Sequence, residues 1–287
     1  MAVFRRGYER YSGPLTTPTA RLLVMPRFAW ERILSQRFVV ILLVVSLFWP
    51  LACAGFIYLS NHADLLPDIG GGISKMLEIN GRFFAVFMNA QSVFAMILAS
   101  VVGPGLIAPD LANNALPLYF ARPLSRSTYI LGRMIVLLGM LSLVTLLPGL
   151  LLFGMQASLA GTAWLSIHWA LGQGVFFGFL LWTVTVSLVA LTSSAYVKWR
   201  VVAGALVLAF FFVLAGAAEI VNQVLRVHWG SVINPGYAMY TIWGALLGLD
   251  PPQEGPEAWE CFVSICILIA GMLAILMRKL RPVEVVS

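Results

Sequence analysis

Charged residues are scarce in this sequence: Asp, Glu, Lys and Arg make up 10% of its 287 residues, where an ordinary soluble domain carries about 25%. So little charge excludes a soluble globular enzyme. Polar stretches long enough to fold separately are also missing, which leaves no room for a large soluble catalytic domain. Cysteine is limited to Cys53, Cys261 and Cys266. All three fall in apolar runs, at spacings that suit neither a zinc site nor an even disulfide framework, and they read as small buried apolar side chains.

Catalytic signatures are missing too. A phosphate-binding loop needs a glycine-rich turn closed by Lys and Ser or Thr, and the nearest match, Gly70-Gly71-Gly72-Ile73-Ser74-Lys75, lacks the spacing. The chain is therefore not expected to hydrolyse ATP by itself. His62, His168 and His228 form no His-Glu-x-x-His pattern and no Gly-x-Ser-x-Gly occurs, so neither metal ligands nor a catalytic nucleophile is assigned. The net charge of +6 comes from residues that flank apolar runs. That placement argues for membrane topology and against a nucleic-acid partner.

What is abundant is apolar: 60% of the residues are hydrophobic. Runs of about 20 residues, enough to cross a bilayer, recur near Phe38 to Leu59, Phe83 to Ile107, Tyr129 to Phe153, Trp169 to Thr192, Val201 to Gln223 and Trp259 to Met277. The expected fold is all-α and polytopic, with six transmembrane helices over 38–277, an N-terminal segment over 1–37 and a tail over 278–287. The first 37 residues hold seven arginines and two glutamates without the apolar centre of a cleavable signal. The first span is thus expected to act as its own insertion signal.

Positive residues near span ends are retained in the cytoplasm. With the N-terminus inside, the inner side receives 15 of the 18 Lys and Arg residues, and only Lys75, Arg82 and Arg226 fall outside. Both termini are therefore expected to be cytoplasmic, in a bacterial inner membrane. Before the first span, Pro26 suits a first helical position. The stretch after it sets Trp30, Ile33, Leu34 and Phe38 on one stripe and Arg27, Glu31, Ser35 and Gln36 on another. That pattern reads as an amphipathic helix on the inner leaflet, the alternative being a soluble tail.

The first outer loop, Asn61 to Arg82, contains Pro67 and the Gly70-Gly71-Gly72 run and is expected to be flexible, with a short helix at Ser74 to Ile79. The second holds an apolar stretch from Tyr237 to Leu249, bounded by Pro235 and by Pro251-Pro252. At about 13 residues it is too short to span and is expected to be re-entrant or interfacial. Trp243 and Leu246 are its candidate gate residues. Polar residues inside spans are candidates for a substrate path: Asn89, Gln91 and Ser92 in the second span, and Glu219 in the fifth. For Glu219 the favoured reading is an interfacial carboxylate that reaches water or pairs with Arg226. Gly174-x-x-x-Gly178 and Gly204 are expected to let helices pack closely.

The most informative stretch runs from Ala108 to Arg133: Ala-Pro-Asp-Leu-Ala-Asn-Asn-Ala-Leu-Pro-Leu-Tyr-Phe-Ala-Arg-Pro-Leu-Ser-Arg-Ser-Thr-Tyr-Ile-Leu-Gly-Arg. Asp110 can cap a helix that follows it, Pro123 ends that helix, and Ser125 can cap the third span. Arg122 and Arg126 are left as fixed cations, suited to an acidic groove on a partner or to anionic lipid headgroups. This layout resembles type 2 ABC exporter permeases. In that family the second span ends at an acidic residue, a short cytoplasmic helix follows, and an Arg-Pro-x-Ser-Arg turn leads to a third span that opens with Gly-Lys. The chain differs in having Leu111-Ala112-Asn113-Asn114-Ala115 where many members carry charges and a glycine, and Arg133 in place of the usual lysine.

The resemblance implies that the 110–126 elbow, with Asp110, Arg122, Pro123, Ser125 and Arg126, is a cytoplasmic coupling helix that docks on a separate ABC ATPase subunit. It also implies a second permease subunit, identical or related, and places ATP and Mg on the ATPase, with no cofactor in this chain. Two alternatives stay open: a permease-like subunit that transmits force to an extracytoplasmic assembly, and a membrane scaffold or intramembrane enzyme independent of ATP.

Overall fold

In lipid every backbone N–H and C=O must be satisfied within the protein, which restricts a spanning chain to helices or closed barrels. The computed structural model describes residues 18–62, 78–113, 125–251 and 254–280, and all its regular structure there is helical. α1 (Pro18–Leu34) precedes the first span, α2 (Arg37–Asn61). The second span is α3 (Gly81–Val102) followed by α4 (Pro104–Ala112), and the third is α5 (Arg126–Val144) followed by α6 (Leu146–Ala160). α7 (Thr162–Tyr196) and α8 (Arg200–Leu225) are the fourth and fifth. A short 3-10 turn (Trp229–Ile233) and α9 (Pro235–Leu246) lead to the last span, α10 (Ala258–Lys279). Six helical segments are long and apolar enough to cross a membrane, so the chain is a multi-pass membrane protein.

α7 is the centre of the bundle. Its most apolar window is 72% buried, against 22%, 28% and 17% for those of α2, α8 and α10, which turn most of their surface outward. Close packing on α7 depends on glycine. A Cβ at Gly174 would sit 2.8 Å from the Leu246 carbonyl oxygen, and one at Gly178 would sit 2.7 Å from both Met88 Cε and Trp243 Cδ1. Gly204 likewise lies against the Ser100 carbonyl.

The span boundaries match the hydropathy reading except around Gly161. There the third and fourth spans run on to 35 residues each, about 52 Å at 1.5 Å per residue, well beyond a hydrocarbon core of about 30 Å. The helices continue because they support each other and are supported by the end of α2. Phe153 meets Trp164 at 5.8 Å, Asn61 Nδ2 donates to Gln156 Oε1 at 2.8 Å, and Gly161 alone makes the turn at φ 86°.

Three expectations need correction. Pro26 does not open a helix: α1 starts at Pro18 and Pro26 lies inside it. Trp30 packs on Gly139 of α5 and Ile33 is buried, whereas Leu34 is exposed and Phe38 belongs to α2, where it is exposed. Tertiary contact with α5 therefore overrides the stripe that includes Phe38. Finally, Cys53 and Cys261 are buried but Cys266 is exposed, on the outward side of α10. The short helix expected at Ser74 to Ile79 and the tail beyond Leu280 fall largely outside the described residues.

Alternating spans bring Arg32, Arg37, Arg126, Lys198, Arg200 and Arg278 to one end of the bundle, here termed the basic end. Among the described residues, Arg82 and Arg226 are the Lys and Arg at the opposite end.

Candidate functional site

At the basic end the second span breaks at Gly103-Pro104 and resumes as α4. The first turn of a helix has N–H groups without partners inside it. Ser194 of α7 supplies them, its Oγ accepting from the Ile107 N–H at 3.2 Å and the Ala108 N–H at 2.9 Å while donating to the Pro104 carbonyl. α4 is thereby fixed to the core helix.

Asp110 lies inside α4, and this corrects the expectation that it caps a later helix. Its Oδ2 accepts from Tyr129 Oη at 2.7 Å and from Arg133 Nη2 in an ion pair, both from α5. Arg133 also stacks on the Tyr129 ring at 5.2 Å. Tyr129 is fully buried and the ion pair nearly so, with side-chain exposures of 12% and 16%. A carboxylate so placed is stabilised only by partners of this kind, so the facing ends of the second and third spans are held together. Ser125 does cap α5: its Oγ accepts from the Thr128 N–H at 3.1 Å. Arg126 is the first residue of that helix. Arg122 and Pro123 lie outside the described residues, as does the rest of the connection over 114–124.

The path candidates divide. Asn89 and Ser92, three residues apart and so on one helix face, line a cleft of about 220 Å³ between α3, α7, α8 and α9. Trp182, Phe211 and Trp243 form its aromatic wall, and Asn234 stands at its rim. Trp182 Nε1 donates to the Ser92 carbonyl at 3.3 Å and Trp243 Nε1 to the Gly178 carbonyl at 3.1 Å. The two rings meet edge to face at 6.1 Å. Both indole N–H groups are satisfied inside the protein, so the wall is fixed and presents carbon. Ser92 Oγ donates to the Asn89 carbonyl, and Asn234 Oδ1 caps α9 through the Gly236 and Tyr237 N–H groups. The Asn89 amide and Asn234 Nδ2 are the polar groups left to face an occupant. Such a cleft can hold an apolar or weakly polar molecule and offers no general acid or base.

Gln91 is elsewhere. It is fully buried, and its Nε2 donates to the Ser46 carbonyl at 3.0 Å and the Val144 carbonyl at 2.6 Å. Those carbonyls stand four residues before Pro50 and Pro148, so each has lost its helical donor to a proline. One amide thus satisfies both and joins three spans. Glu219 is exposed on α8 and accepts from Gln223 Nε2 at 2.8 Å, away from the cleft. Leu246 ends α9 partly exposed, with its carbonyl against Gly174. Trp243 is therefore the one gate candidate on the cleft.

Trp182, Phe211, Asn234, Tyr129 and Arg133 were not among the sequence candidates. For Asn234 a signal existed, since Asn followed by Pro is a strong helix start. Among the described residues no three His, Cys, Asp or Glu side chains gather closely enough to hold a metal ion. Neither protein-family models nor curated proteins give a match to this chain.

Proposed function

We propose that the chain is the membrane-spanning permease subunit of an ATP-driven exporter, with nucleotide chemistry in a separate ATPase chain. One observation carries the reading: the two ends of the connection over 114–124 are tied together, Asp110 of α4 before it being held by Tyr129 and Arg133 of α5 after it, and Ser125 caps α5 where the connection ends. A partner that pushes on this connection would move α4 and α5 together. The motion would reach α3, whose Asn89 and Ser92 line the aromatic cleft. In this reading the elbow is cytoplasmic, both termini are inside a bacterial inner membrane, α9 is a re-entrant segment at the outer gate, and two permease subunits, identical or related, work with two ATPases. The cleft is the apolar part of the path.

The test is a complex with the cognate ATPase in which Arg122→Glu and Arg126→Glu are combined. Two reversed charges at a partly shielded contact cost about 1 to 3 kcal/mol, so assembly or coupled hydrolysis should fall by about ten- to a hundredfold. Lys198→Glu with Arg278→Glu, an equal change of charge at the same end, is the control. Unchanged affinity and unchanged transport in a normally inserted Arg122/Arg126 variant would show that these arginines are lipid anchors.

A further inference from the structure

A second cavity, of about 340 Å³, opens at the basic end between α1, α4, α5 and α8. Three guanidiniums, Arg32, Arg133 and Arg200, and one carboxylate, Asp110, line it. That carboxylate is already held by Arg133 and Tyr129. Neither Arg32 nor Arg200 has a carboxylate partner among the described residues. Arg200 is positioned all the same. Its Nη2 donates to Gln36 Oε1 at 2.7 Å and to the Val101 carbonyl at 3.4 Å, and Gln36 in turn donates to the Arg32 carbonyl. The guanidinium lies over Gly105 of α4, its Cζ 3.6 Å from where a Cβ would stand, which is ordinary van der Waals contact.

A guanidinium has five N–H donors in a rigid fork. Arg200 directs Nη2 to neutral acceptors, so Nη1 and Nε each remain as a single charged donor for an anion, beside a second cation at Arg32. Charged N–H donors from two neighbouring guanidiniums suit phosphate oxygens. The rest of the lining is apolar, with Phe28, Ile33, Val102 and Leu106, and Phe28 is 65% exposed. A free phosphate would gain nothing from that wall. An amphiphile whose phosphate meets the arginines and whose chains continue along Phe28 would use the whole cavity. The basic end is also the end that carries the excess of positive charge, where basic pockets between spans take anionic headgroups.

We propose that this cavity binds the phosphate-bearing headgroup of an anionic phospholipid between Arg32 and Arg200, fastening α1 to α4 and α8. The proposal stands independently of the exporter reading. It is tested on the full chain purified in neutral detergent, by thermal unfolding and native mass spectrometry with phosphatidylglycerol, phosphatidylcholine or soluble glycerol 3-phosphate added. Phosphatidylglycerol should bind and raise the unfolding temperature, phosphatidylcholine should not, and glycerol 3-phosphate should act far more weakly. Arg32→Gln with Arg200→Gln should weaken phosphatidylglycerol binding by at least about tenfold. Ala29→Phe, which narrows the cavity and keeps both guanidiniums, should weaken it as well and decides the matter if the double variant does not fold. Equal effects of the two lipids on the unmodified protein, or phosphatidylglycerol binding unchanged in a folded double variant or in Ala29→Phe, would overturn the proposal. Glycerol 3-phosphate acting as strongly as the lipid would overturn the lipid assignment and leave a site for free phosphate esters.

Discussion

Replacing Gln91 with Leu should destabilise the protein by about 2 kcal/mol, although Leu suits the interior of an apolar bundle better than an amide does. The amide gives its two hydrogens to the Ser46 and Val144 carbonyls. Neither has another donor in its own helix, because the nitrogens due to reach them belong to Pro50 and Pro148. A buried acceptor left without a partner costs about 1 to 3 kcal/mol; at about 1.5 each, the two cost about 3. Leu also removes Gln91 Oε1, which is buried without a partner among the described residues, and this returns about 1 kcal/mol. Equilibrium unfolding in mixed micelles, followed by loss of helicity, measures the difference. The decisive comparison is the same substitution in a Pro50→Ala, Pro148→Ala background. There the alanine N–H groups reclaim both carbonyls, and Gln91→Leu should cost close to nothing. An equal cost in both backgrounds would refute the reasoning and make Gln91 a residue that acts through packing alone.

Asp110→Ala should cost about 3 kcal/mol by stranding the Arg133 guanidinium, whereas Asp110→Leu combined with Arg133→Met should stay within about 1 kcal/mol of the unmodified protein; unfolding in the same micelles reads both, and a double variant as unstable as the single one contradicts the ion-pair account. In a background without Cys53, Cys261 and Cys266, a cysteine at Glu254 should react with an impermeant thiol reagent on intact cells and one at Ser127 should not. Labelling at Ser127 would reverse the orientation drawn from the Lys and Arg distribution.

The spans are legible because length and hydropathy set them directly, and the cap at Ser125 because capping is local; the cap at Asn234 is missed, although the Asn-Pro pair signals it. The locality of capping misleads at Asp110. A local reading offers it a following helix to cap, but its partners are 19 and 23 residues away on α5, and only packing brings them near. Asn89, Gln91 and Ser92 were grouped because all are polar in one span. Helical geometry separates them, since Asn89 and Ser92 share a face and Gln91 points to another. The two prolines were visible in the sequence, but their pairing with Gln91 needs three helices in register. In the sequence Arg32 and Arg200 read as topology signals alone, because nothing in a linear count shows that they line one cavity.

The turn at Gly161 has a consequence for synthesis in the cell. It joins α6 and α7 through a single residue with φ 86° and ψ 177°, a backbone geometry open essentially to glycine only. With so little chain between them, the third and fourth spans are expected to leave the insertion machinery as one helical hairpin, since the turn at Gly161 closes only when the fourth folds back along the third. A bulky residue at Gly161 would first show as a delay in membrane integration and as turnover of the nascent chain, before any property of the finished protein is touched.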